Sequence, residues 1–314
     1  MKLSFLKYSL YSLLAITAVS CDKDDDQAVA PTMDAFIKSE SNLSMYAKAL
    51  NKANLQTFTE GSGPFTWFAP TNEAFTAALI SEDSLNKMTP GQISYILLYH
   101  QANTELNSKN MIAINSSPRA SQLGTGGNNQ FYIGSVNGDN YFNGAKIISR
   151  DNKVANGYVH IINRLTVPPV LKGNVASILG STGQHSLFIQ ALTRANLWTS
   201  STLASTSSVF TVFAPTDAAM TAAGYTSESI ATATPESLAA AMKYHYILNI
   251  RLFTNDLNRN SLPATAAGSN KFITPSENGT KIKGSSNTTA VSIVKSDILG
   301  TNGVVHILNG VLTP

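Results

Sequence analysis

This 314-residue chain contains the same sequence unit twice. The stretch FTWFAPTNEAF, Phe65 to Phe75, returns as FTVFAPTDAAM, Phe210 to Met220, at an offset of 145 residues. Histidines further along recur at the same spacing to within one residue: His100 with His245, and His160 with His306. Two copies of a unit of about 140 residues, each the size of a common domain, account for this pattern better than one large fold does.

Composition limits the partners and the stabilising devices to be expected. A domain of about 140 residues buries about two-thirds of its unfolded surface, so neither a disulfide nor a metal is needed to hold it. Charged residues make up 13% of the chain and the formal net charge is +3. Two of the positive charges, Lys2 and Lys7, lie in a segment that we expect to be removed. The near-neutral remainder argues against a nucleic-acid partner, which would need clustered basic residues.

Residues 1–20 are predicted to be a lipoprotein signal peptide. Lys2 and Lys7 precede an apolar run, Tyr8 to Val19, that is too short to span a bilayer. The run leads to Cys21, the only cysteine in the chain, and small residues before a lone cysteine resemble the bacterial lipobox. The alternative is an unmodified cysteine in an ordinary secreted protein. Lipidation is preferred because an exported cysteine without a disulfide partner needs another explanation.

Residues 21–31 are predicted to be an acidic tether. The run DKDDD, Asp22 to Asp26, is polar and has no apolar periodicity. It resembles the export signal after the lipidated cysteine of Bacteroidetes lipoproteins, which implies an outer-membrane lipoprotein exposed on the cell surface. A plain spacer is compatible with either face of that membrane. In both cases we expect attachment to the membrane through a lipid on Cys21.

In each copy the repeated stretch is predicted to be a strand, a proline and a capped helix. Phe65 to Phe68 alternates bulky and β-branched residues as a short buried strand does. Pro70 and Pro215 have no N–H for a sheet ladder, so the strand ends there. Thr71 and Thr216 follow as helix N-caps. The stretch holds no glycine-rich phosphate loop and no nucleophile elbow, so its role is structural.

Two helices in each copy are predicted from apolar spacing and capping signals. One carries a single buried stripe, and another begins at a Thr-Pro cap. The stripe residues are Leu43, Tyr46, Ala47 and Leu50 in the first copy, and Ile189, Leu192 and Leu197 in the second. The caps are Thr89-Pro90 and Thr234-Pro235.

Two equivalent histidines fall on the apolar face of the second of these helices. His100 stands seven residues after Ile93, and His245 has the same setting in the second copy; Tyr99 and Tyr244 precede them. Each could be a metal ligand or a general base, or a hydrogen-bonded core residue. The core interpretation is preferred because neither copy offers the convergent ligands of a metal site.

The other histidines are also interpreted as structural. His160 and His306 interrupt apolar strands, so one face of each strand is expected to need a polar partner. The exception to the repeat is His185, which lies in a Gly/Ser/Thr-rich loop before a helix. We predict no catalytic residue, no metal ligand and no cofactor.

The second half of each copy is predicted to form hairpins. Asn-Gly pairs separate β-rich runs such as Phe131 to Ile133, Ala145 to Ser149 and Ala290 to Val294. The pairs are Asn137-Gly138, Asn143-Gly144, Asn156-Gly157, Asn278-Gly279 and Asn302-Gly303.

These motifs resemble the signature segments of the fasciclin domain family. The segments are TWFAPTN (Thr66 to Asn72) and TVFAPTD (Thr211 to Asp217), each followed by Tyr-His and then by Val-His-Ile-x-Asn. The signature residues are Phe68, Pro70, Thr71, Tyr99, His100 and His160, and in the second copy Phe213, Pro215, Thr216, Tyr244, His245 and His306. The resemblance implies an α+β fold of two tandem domains, each a β-sheet wedge with packed helices. It also implies extracellular adhesion and matrix binding rather than catalysis.

The resemblance covers residues 32–168 as one domain and 176–314 as the other, joined by a linker at 169–175. Three positions depart from the family pattern, because Asn72, Asn163 and Asn309 stand where aspartate is usual. A role that depends on charge is therefore not expected there. The Tyr-His pairs match a motif linked to adhesion in some relatives. The spacing places the histidines on the buried face of a helix, which favours a role in holding the shape of the domain.

We weigh three functions. The first is a non-catalytic adhesion module that binds a matrix, glycan or protein partner. The second is a carbohydrate-binding accessory lipoprotein, with Trp198 beside a variable loop as the candidate ligand contact and Trp67 assigned to the core. The third is an envelope protein facing a periplasmic partner. A hydrolase is disfavoured because its Ser, His and Asp residues lack activating context. A short sequence at Ser84 resembles a glycosylation acceptor and is interpreted as a helix start.

Overall fold

The computed structural model describes residues 29–114, 121–124, 130–199, 202–203, 205, 208–258 and 262–314, with the backbone alone at 112–114, 121–124 and 258. The predicted signal peptide, Cys21 and most of the predicted tether lie outside the described residues. Among the helices in these ranges, none is both long and apolar enough to cross a membrane.

In the first domain, one strand lies between the third and fourth helices, and the other strands follow the sixth helix. The helices are α1 (Met33–Ser39), α2 (Ser44–Lys52), α3 (Gln56–Thr59), α4 (Asn72–Ala77), α5 (Glu82–Lys87), α6 (Pro90–Leu98) and α7 (Ser108–Ile114). The strands are β1 (Phe65–Pro70), β2 (Gln101–Ala102), β3 (Ser121–Gly124), β4 (Gln130–Val136), β5 (Asp139–Phe142), β6 (Ala145–Val154) and β7 (Gly157–Ile162). They form a curled sheet of order β2-β1-β7-β6-β5-β4-β3, in which β1 and β7 run parallel.

The second domain repeats this plan with a shorter sheet. Its helices are α8 (Pro169–Lys172), α9 (Val175–Ser181), α10 (Ser186–Arg194), α11 (Asp217–Ala222), α12 (Ser227–Thr232) and α13 (Pro235–Met242). Its strands are β8 (Phe210–Pro215), β9 (Tyr246–Leu248), β10 (Thr274–Ser276), β11 (Lys281–Lys283), β12 (Val291–Gly300) and β13 (Gly303–Leu308). The sheet order is β10-β11-β12-β13-β8-β9, with β8 and β13 parallel. The predicted linker, residues 169–175, thus contains α8 and leads into α9.

The first strand of each domain divides the interior into two cores. Trp67 and Ala69 face the core beneath helices α1 to α6, whereas Phe68 between them faces a core against β4 to β6. The same alternation recurs in β8, where Val212 faces the helices and Phe213 the other side. The prediction of a short, alternating buried strand is confirmed, with Phe65 at its start half-buried.

The capping and turn predictions are also confirmed. Thr71 and Thr216 accept hydrogen bonds from the third backbone N–H of α4 and α11, and Thr89 forms a capping box with Gln92. Asn137-Gly138 and Asn143-Gly144 close the β4–β5 and β5–β6 hairpins, with all four residues in the left-handed region. Ser84 lies in the first turns of α5.

Two details of the predicted helices are wrong. The buried stripe in α2 contains Ala49 rather than Ala47, and in α10 it contains Phe188 rather than Ile189. The helix predicted to reach His100 ends at Leu98. Ala47 and Ile189 still pack against the cores as partly buried residues, because spacing patterns of three and four residues overlap on one helix side.

A β-bulge marks the same place in both sheets. The register of β6 against β7 shifts twice between Ile147 and Asn152, and that of β12 against β13 shifts twice between Ile293 and Ile298. Within the bulges, Asp151 and Asp297 take left-handed backbone conformations, with φ of 60° and 58°. A bulge re-aims side chains and bends the strand. In these domains the bulge turns the side chain of Asp151 toward Ser108 and that of Asp297 toward Thr254.

Candidate functional site

His100 and His245 tie the end of a helix to the last segment of their domain. The Nδ1–H of His100 donates to the carbonyl of Ile96 at 2.9 Å, and its Nε2 accepts from the N–H of Thr166 at 3.1 Å. The corresponding partners of His245 are the carbonyl of Ala241 at 3.1 Å and the N–H of Leu312 at 3.0 Å. Burial lowers the pKa of each imidazole to about 4. Both rings are therefore neutral at pH 7 and fully bonded to backbone.

His160 and His306, in β7 and β13, have the opposite tautomer. The Nδ1 of His160 accepts from the N–H of Asp151 at 3.2 Å, and its Nε2–H donates to the carbonyl of Leu106 at 2.8 Å. His306 repeats this with Asp297 at 3.4 Å and Leu252 at 2.8 Å. Burial lowers the pKa of both imidazoles. The predicted polar partners of these strand histidines are thus backbone groups.

The bulge aspartates cap a loop in both domains. The carboxylate of Asp151 accepts from the N–H of Ser108 at 2.7 Å and from its hydroxyl. Asp297 accepts from the N–H of Thr254 at 2.7 Å and from its hydroxyl at 2.5 Å. Because each aspartate also donates its N–H to a histidine, bulge, strand and loop are joined in one hydrogen-bonded network.

This network contains the residue types of a hydrolytic triad, but its hydrogen bonds connect them differently. In a triad, the imidazole accepts the proton of the serine hydroxyl and the carboxylate orients the imidazole. Here the hydroxyl of Ser108 donates to Asp151, and the Nε2–H of His160 donates to a carbonyl. The imidazole has no free nitrogen with which to activate the serine. The arrangement is suited to holding the bulge, and it lacks the proton path of a nucleophile.

The aromatic signature residues converge on the same core. The ring of Phe68 stacks on His160 with centroids 5.5 Å apart and on Phe142 at 4.3 Å. In the second domain Phe213 stacks on His306 at 5.3 Å. The hydroxyl of Tyr99 donates to the carbonyl of Gln130, and that of Tyr244 donates to the carbonyl of Phe272. Burial raises the pKa of Tyr99. All of these signature side chains are buried.

Asparagine replaces aspartate without loss of the hydrogen bond at the positions that depart from the family pattern. The Oδ1 of Asn72 accepts from the N–H of Met45 at 2.9 Å, and Asp217 makes the equivalent bond to Leu187 at 2.7 Å. Asn163 and Asn309 accept from the N–H groups of Lys146 and Ser292 at 2.8 and 2.9 Å. Since these bonds need an oxygen acceptor and not a charge, an amide serves as well.

The remaining candidate residues lie apart from this network. Trp198 is half-buried and packs against the helical core of the second domain, and Trp67 is fully buried in the first. His185 is buried at the N-terminal end of α10, where its Nδ1–H donates to the carbonyl of Pro215 at 2.8 Å. Burial lowers its pKa. In the described part of the chain, no group of three or more His, Cys, Asp and Glu side chains could hold a metal ion.

A buried ion pair between the two domains was not predicted. Arg164, just after β7, donates to the carboxylate of Asp297 at 2.7 Å, to Ser296 Oγ at 3.2 Å and to the carbonyl of Asn143 at 3.1 Å. The side chain of Asp297 is fully buried, and that of Arg164 is 30% exposed. Burial alone would raise the pKa of Asp297, but the guanidinium and the hydrogen bonds to the carboxylate outweigh this effect and lower it.

Apolar contacts extend the interface between the domains. Phe253, Leu299 and Val304 of the second domain belong to the same hydrophobic cluster as the core around Phe68. Tyr132 meets Phe253 with ring centroids 5.8 Å apart, and Arg251 lies 5.1 Å from the Tyr132 ring centre. The two repeats therefore share part of a core, which restricts their mutual orientation.

The sequence held a signal for one part of this site and none for the other. Ser108 and Asp151 recur as Thr254 and Asp297 at an offset of 146, so a search for repeated polar residues would have found the loop network. Arg164 has Gly310 at its equivalent position. A residue present in one copy alone gives no repeat signal, so the domain interface could not be found in this way.

Comparisons with known proteins agree with the repeated fold. The chain matches the Fasciclin domain over residues 41–168 and again over residues 183–314. It is 26% identical to mouse Stabilin-2 over 233 residues, which are 73% of this chain and 9% of that protein. It is 25% identical to the pig Transforming growth factor-beta-induced protein ig-h3 over 283 residues, 88% of this chain and 37% of that protein.

A bacterial relative and a solved structure give further matches. The cyanobacterial Protein sll1483 of Synechocystis is 29% identical over 143 residues, 45% of this chain and 76% of that protein. The solved structure is a FAS1 domain pair from the insect cell adhesion molecule Fasciclin I, with 21% identity, a TM-score of 0.38, and coverage of 87% of this chain and 97% of the other. The chain spans well under half the length of the mouse and pig relatives.

Proposed function

Because the chain belongs to the fasciclin domain family, with one fasciclin domain in each half, we propose that it is a non-catalytic interaction module. In this proposal a lipid on Cys21 anchors it to the outer membrane, and its domains face the cell exterior, where they bind a matrix, glycan or protein partner. The first 26 residues support the anchor through the signal-peptide pattern, the lone cysteine and the acidic run that follows it.

One observation carries the non-catalytic part of the proposal. Four of the five histidines are equivalent between domains, and each bonds to backbone groups through both ring nitrogens. Such rings stabilise the scaffold and offer no free nitrogen to a substrate. The affinity of an interaction module resides in a few exposed side chains, which lie on loops carried by a rigid scaffold.

The anchor and the exposed location are tested by protease shaving of intact cells that express the native chain or Cys21→Ala. We expect the native chain to be membrane-bound, to carry lipid in mass spectra and to be shaved from whole cells. We expect Cys21→Ala to be released from the membrane. A native chain that is cleaved only after the outer membrane is permeabilised would contradict surface display and favour a periplasmic partner.

The interaction role is tested by the adhesion of the same cells to immobilised matrix proteins, glycans and other cells. Native cells are expected to adhere saturably and to lose adhesion on shaving. Variants with altered exposed loops should lose adhesion, whereas a histidine variant that still folds, such as His245→Gln, should retain it. Adhesion equal to that of cells lacking the protein on every surface would refute the proposal.

A further inference from the structure

The two domains enclose a cleft of about 610 Å³ beside the Arg164–Asp297 ion pair. One wall comes mainly from the β4–β5–β6 hairpins of the first domain, and the other from two loops and the bulge of β12 in the second. The second-domain residues in the wall are Thr254, Asn255, Asn278, Thr280 and Ser296. Small-molecule sites are frequent at domain interfaces and have volumes of about 300 to 1,000 Å³. The position and size of this cleft fit such a site.

The first-domain wall is one face of a hairpin sheet. Tyr141 is the cross-strand neighbour of both Gly134 and Lys146, so these three residues share a face. Asp139 lies two residues before Tyr141 and therefore on the same face. The side chain of Asn255 from the second domain packs over Gly134, where a Cβ would lie 2.6 Å from its Nδ2, so Tyr141 and Asn255 are neighbours in the lining of the cleft. The Tyr141 ring gives the cleft one aromatic surface.

The charges at the cleft are paired with one another. Lys146 Nζ lies 2.7 Å from the carboxylate of Asp139, and Arg164 lies 2.7 Å from that of Asp297. The two cations and two anions cancel. A strongly anionic ligand would have to break one of these pairs, and so would a bare cation. The electrostatics of the cleft therefore favour an uncharged ligand.

Each domain contributes an asparagine to the lining of the cleft. Asn137 belongs to the β4–β5 turn, and Asn278 belongs to the turn before β11; both line the cleft. Neither side-chain amide makes a hydrogen bond within the described part of the chain. An amide offers two donors and an acceptor, which match the hydroxyl groups of a polyol. A purely apolar ligand would leave these groups unpaired at a cost of about 1–3 kcal/mol each.

The fold itself does not require these residues. In the register of the second sheet, Lys281 takes the place of Tyr141 and Ser276 that of Gly134. Gly310 stands at the position of Arg164. Because the second domain forms without them, the aromatic ring, the glycine that admits Asn255 and the arginine are particular to this interface.

We propose that the interdomain cleft binds a neutral saccharide of two or three sugar units. The Tyr141 ring provides a face for the apolar C–H side of a sugar, and Asn137 and Asn278 bond its hydroxyls from opposite walls. The proposal rests on the proposed interaction function and names a ligand class and a site for it. The ion pair of Arg164 with Asp297 holds the walls at a fixed separation, so the site is formed before the ligand arrives.

Saturation-transfer NMR on the full-length protein, in a detergent without a sugar headgroup, tests the proposal. The probes are maltotriose, cellotriose, mannotriose and triacetylchitotriose, with trigalacturonate as an acidic comparator. We expect at least one neutral trisaccharide to bind. Its affinity should fall about tenfold or more in Tyr141→Ala and in the double variant Asn137→Gly/Asn278→Gly, because hot-spot contacts carry such a share of the binding energy.

The asparagine variants have a matched control. Asn137 and Asn278 have φ of 53° and 57°, so glycine removes the amide and keeps the backbone conformation. Asn54 and Asn196, with φ of 55° and 57°, lie outside the cleft, and the double variant Asn54→Gly/Asn196→Gly should bind as the native protein does. Thermal midpoints of both double variants report whether they fold.

Three results would overturn the proposal: no binding of any neutral trisaccharide, binding that survives the cleft variants, or tighter binding of trigalacturonate than of every neutral probe. Its failure can be told apart from failure of the proposed function. Surface adhesion without trisaccharide binding would refute the saccharide site alone. Trisaccharide binding by a protein that confers no adhesion would support the site and refute the adhesion role.

Discussion

His100 and His245 make the stability of this protein sensitive to mild acid. Their folded pKa of about 4 lies below the usual value of 6.5, so the unfolded chain takes up protons first as the pH falls. The stabilisation is complete above pH 6.5 and is lost as the pH falls toward 4. A difference of this size corresponds to about 3 kcal/mol for each histidine.

Urea unfolding between pH 7 and pH 4 measures this effect. Replacing either residue, as in His100→Gln or His245→Gln, should lower stability at pH 7 by removing a buried hydrogen bond. It should also reduce the number of protons taken up on unfolding by about one per replaced histidine, so the free energy of unfolding should depend less steeply on pH. A variant with the same pH slope as the native protein would show that the imidazole becomes protonated without unfolding.

Leu79 occupies a backbone conformation that suits glycine. It lies after α4 with φ of 60° and is 89% exposed, whereas the equivalent position of the second domain is Gly224, with φ of 84°. The left-handed region costs a residue with a Cβ about 1–2 kcal/mol. Leu79→Gly should therefore raise the free energy of unfolding by about 1 kcal/mol, less the added entropy of the unfolded chain.

The reciprocal change, Gly224→Leu, is the matched control. No atom lies within 4 Å of a Cβ built at Gly224, so its cost comes from the backbone alone. Denaturant midpoints should move in opposite directions in the two variants. Destabilisation by Leu79→Gly would mean that the exposed leucine side chain makes a stabilising contribution larger than the strain.

At the scale of elements, the carboxylate of one aspartate links each bulge to a distant segment, at Ser108 in the first domain and at Thr254 in the second. Asp151→Ala removes the two hydrogen bonds to Ser108 and leaves the backbone N–H of Ser108 without an acceptor. We expect a loss of about 2–3 kcal/mol and faster amide exchange in β6 and in the loop before α7. Asp151→Asn retains one acceptor oxygen and should cost less. Equal exchange rates in native and Ala variants would show that the sheet alone sets the bulge.

The elements that sequence predicted best are those with a local chemical signal. Thr71, Thr89 and the Asn137-Gly138 turn act through atoms within a few residues of themselves, so their pattern is visible along the chain. The bulges at Asp151 and Asp297 depend on a strand partner and a distant loop. A register shift of this kind leaves no periodicity of its own, and it is found only when the strands are paired.

At the scale of the whole molecule, the close approach of the domains depends on Gly144. Its φ is 76°, and a Cβ placed there would lie 2.8 Å from Arg164 Nη2 and 2.8 Å from Asp297 Cγ. Gly144→Ala should displace the ion pair and loosen the interface. We expect faster proteolysis within residues 169–175 and a larger radius in small-angle scattering.

Gly138→Ala is the control that distinguishes the steric contact at the interface from the strain of a Cβ at positive φ. Gly138 has φ of 84°, ends the neighbouring hairpin turn, and has no atom within 4 Å of a Cβ built there. It should destabilise the hairpin locally and leave the scattering profile unchanged. Equal changes in both variants would contradict a specific role for Gly144 at the interface.

The arrangement of the domains lay beyond the reach of sequence. The repeat and the fasciclin signature predicted two domains, and local patterns and spacing predicted the strand, the caps and the buried histidines that the structure shows. The interface joins Arg164 to Asp297 across 133 residues. Neither composition nor residue spacing indicates that Arg164 pairs with Asp297 or that the Asp297 carboxylate is buried. The cleft follows from that interface, so it could not be predicted either.

The ion pair between the domains also determines how the molecule bears a pulling force. A chain held by one end at a membrane and loaded at its far domain would stretch first wherever the backbone is the sole connection. Here the guanidinium of Arg164 and the shared apolar core run alongside the short segment between β7 and α9. These contacts and the backbone carry the tension in parallel. The two domains would therefore resist extension as one unit until the contacts between them break.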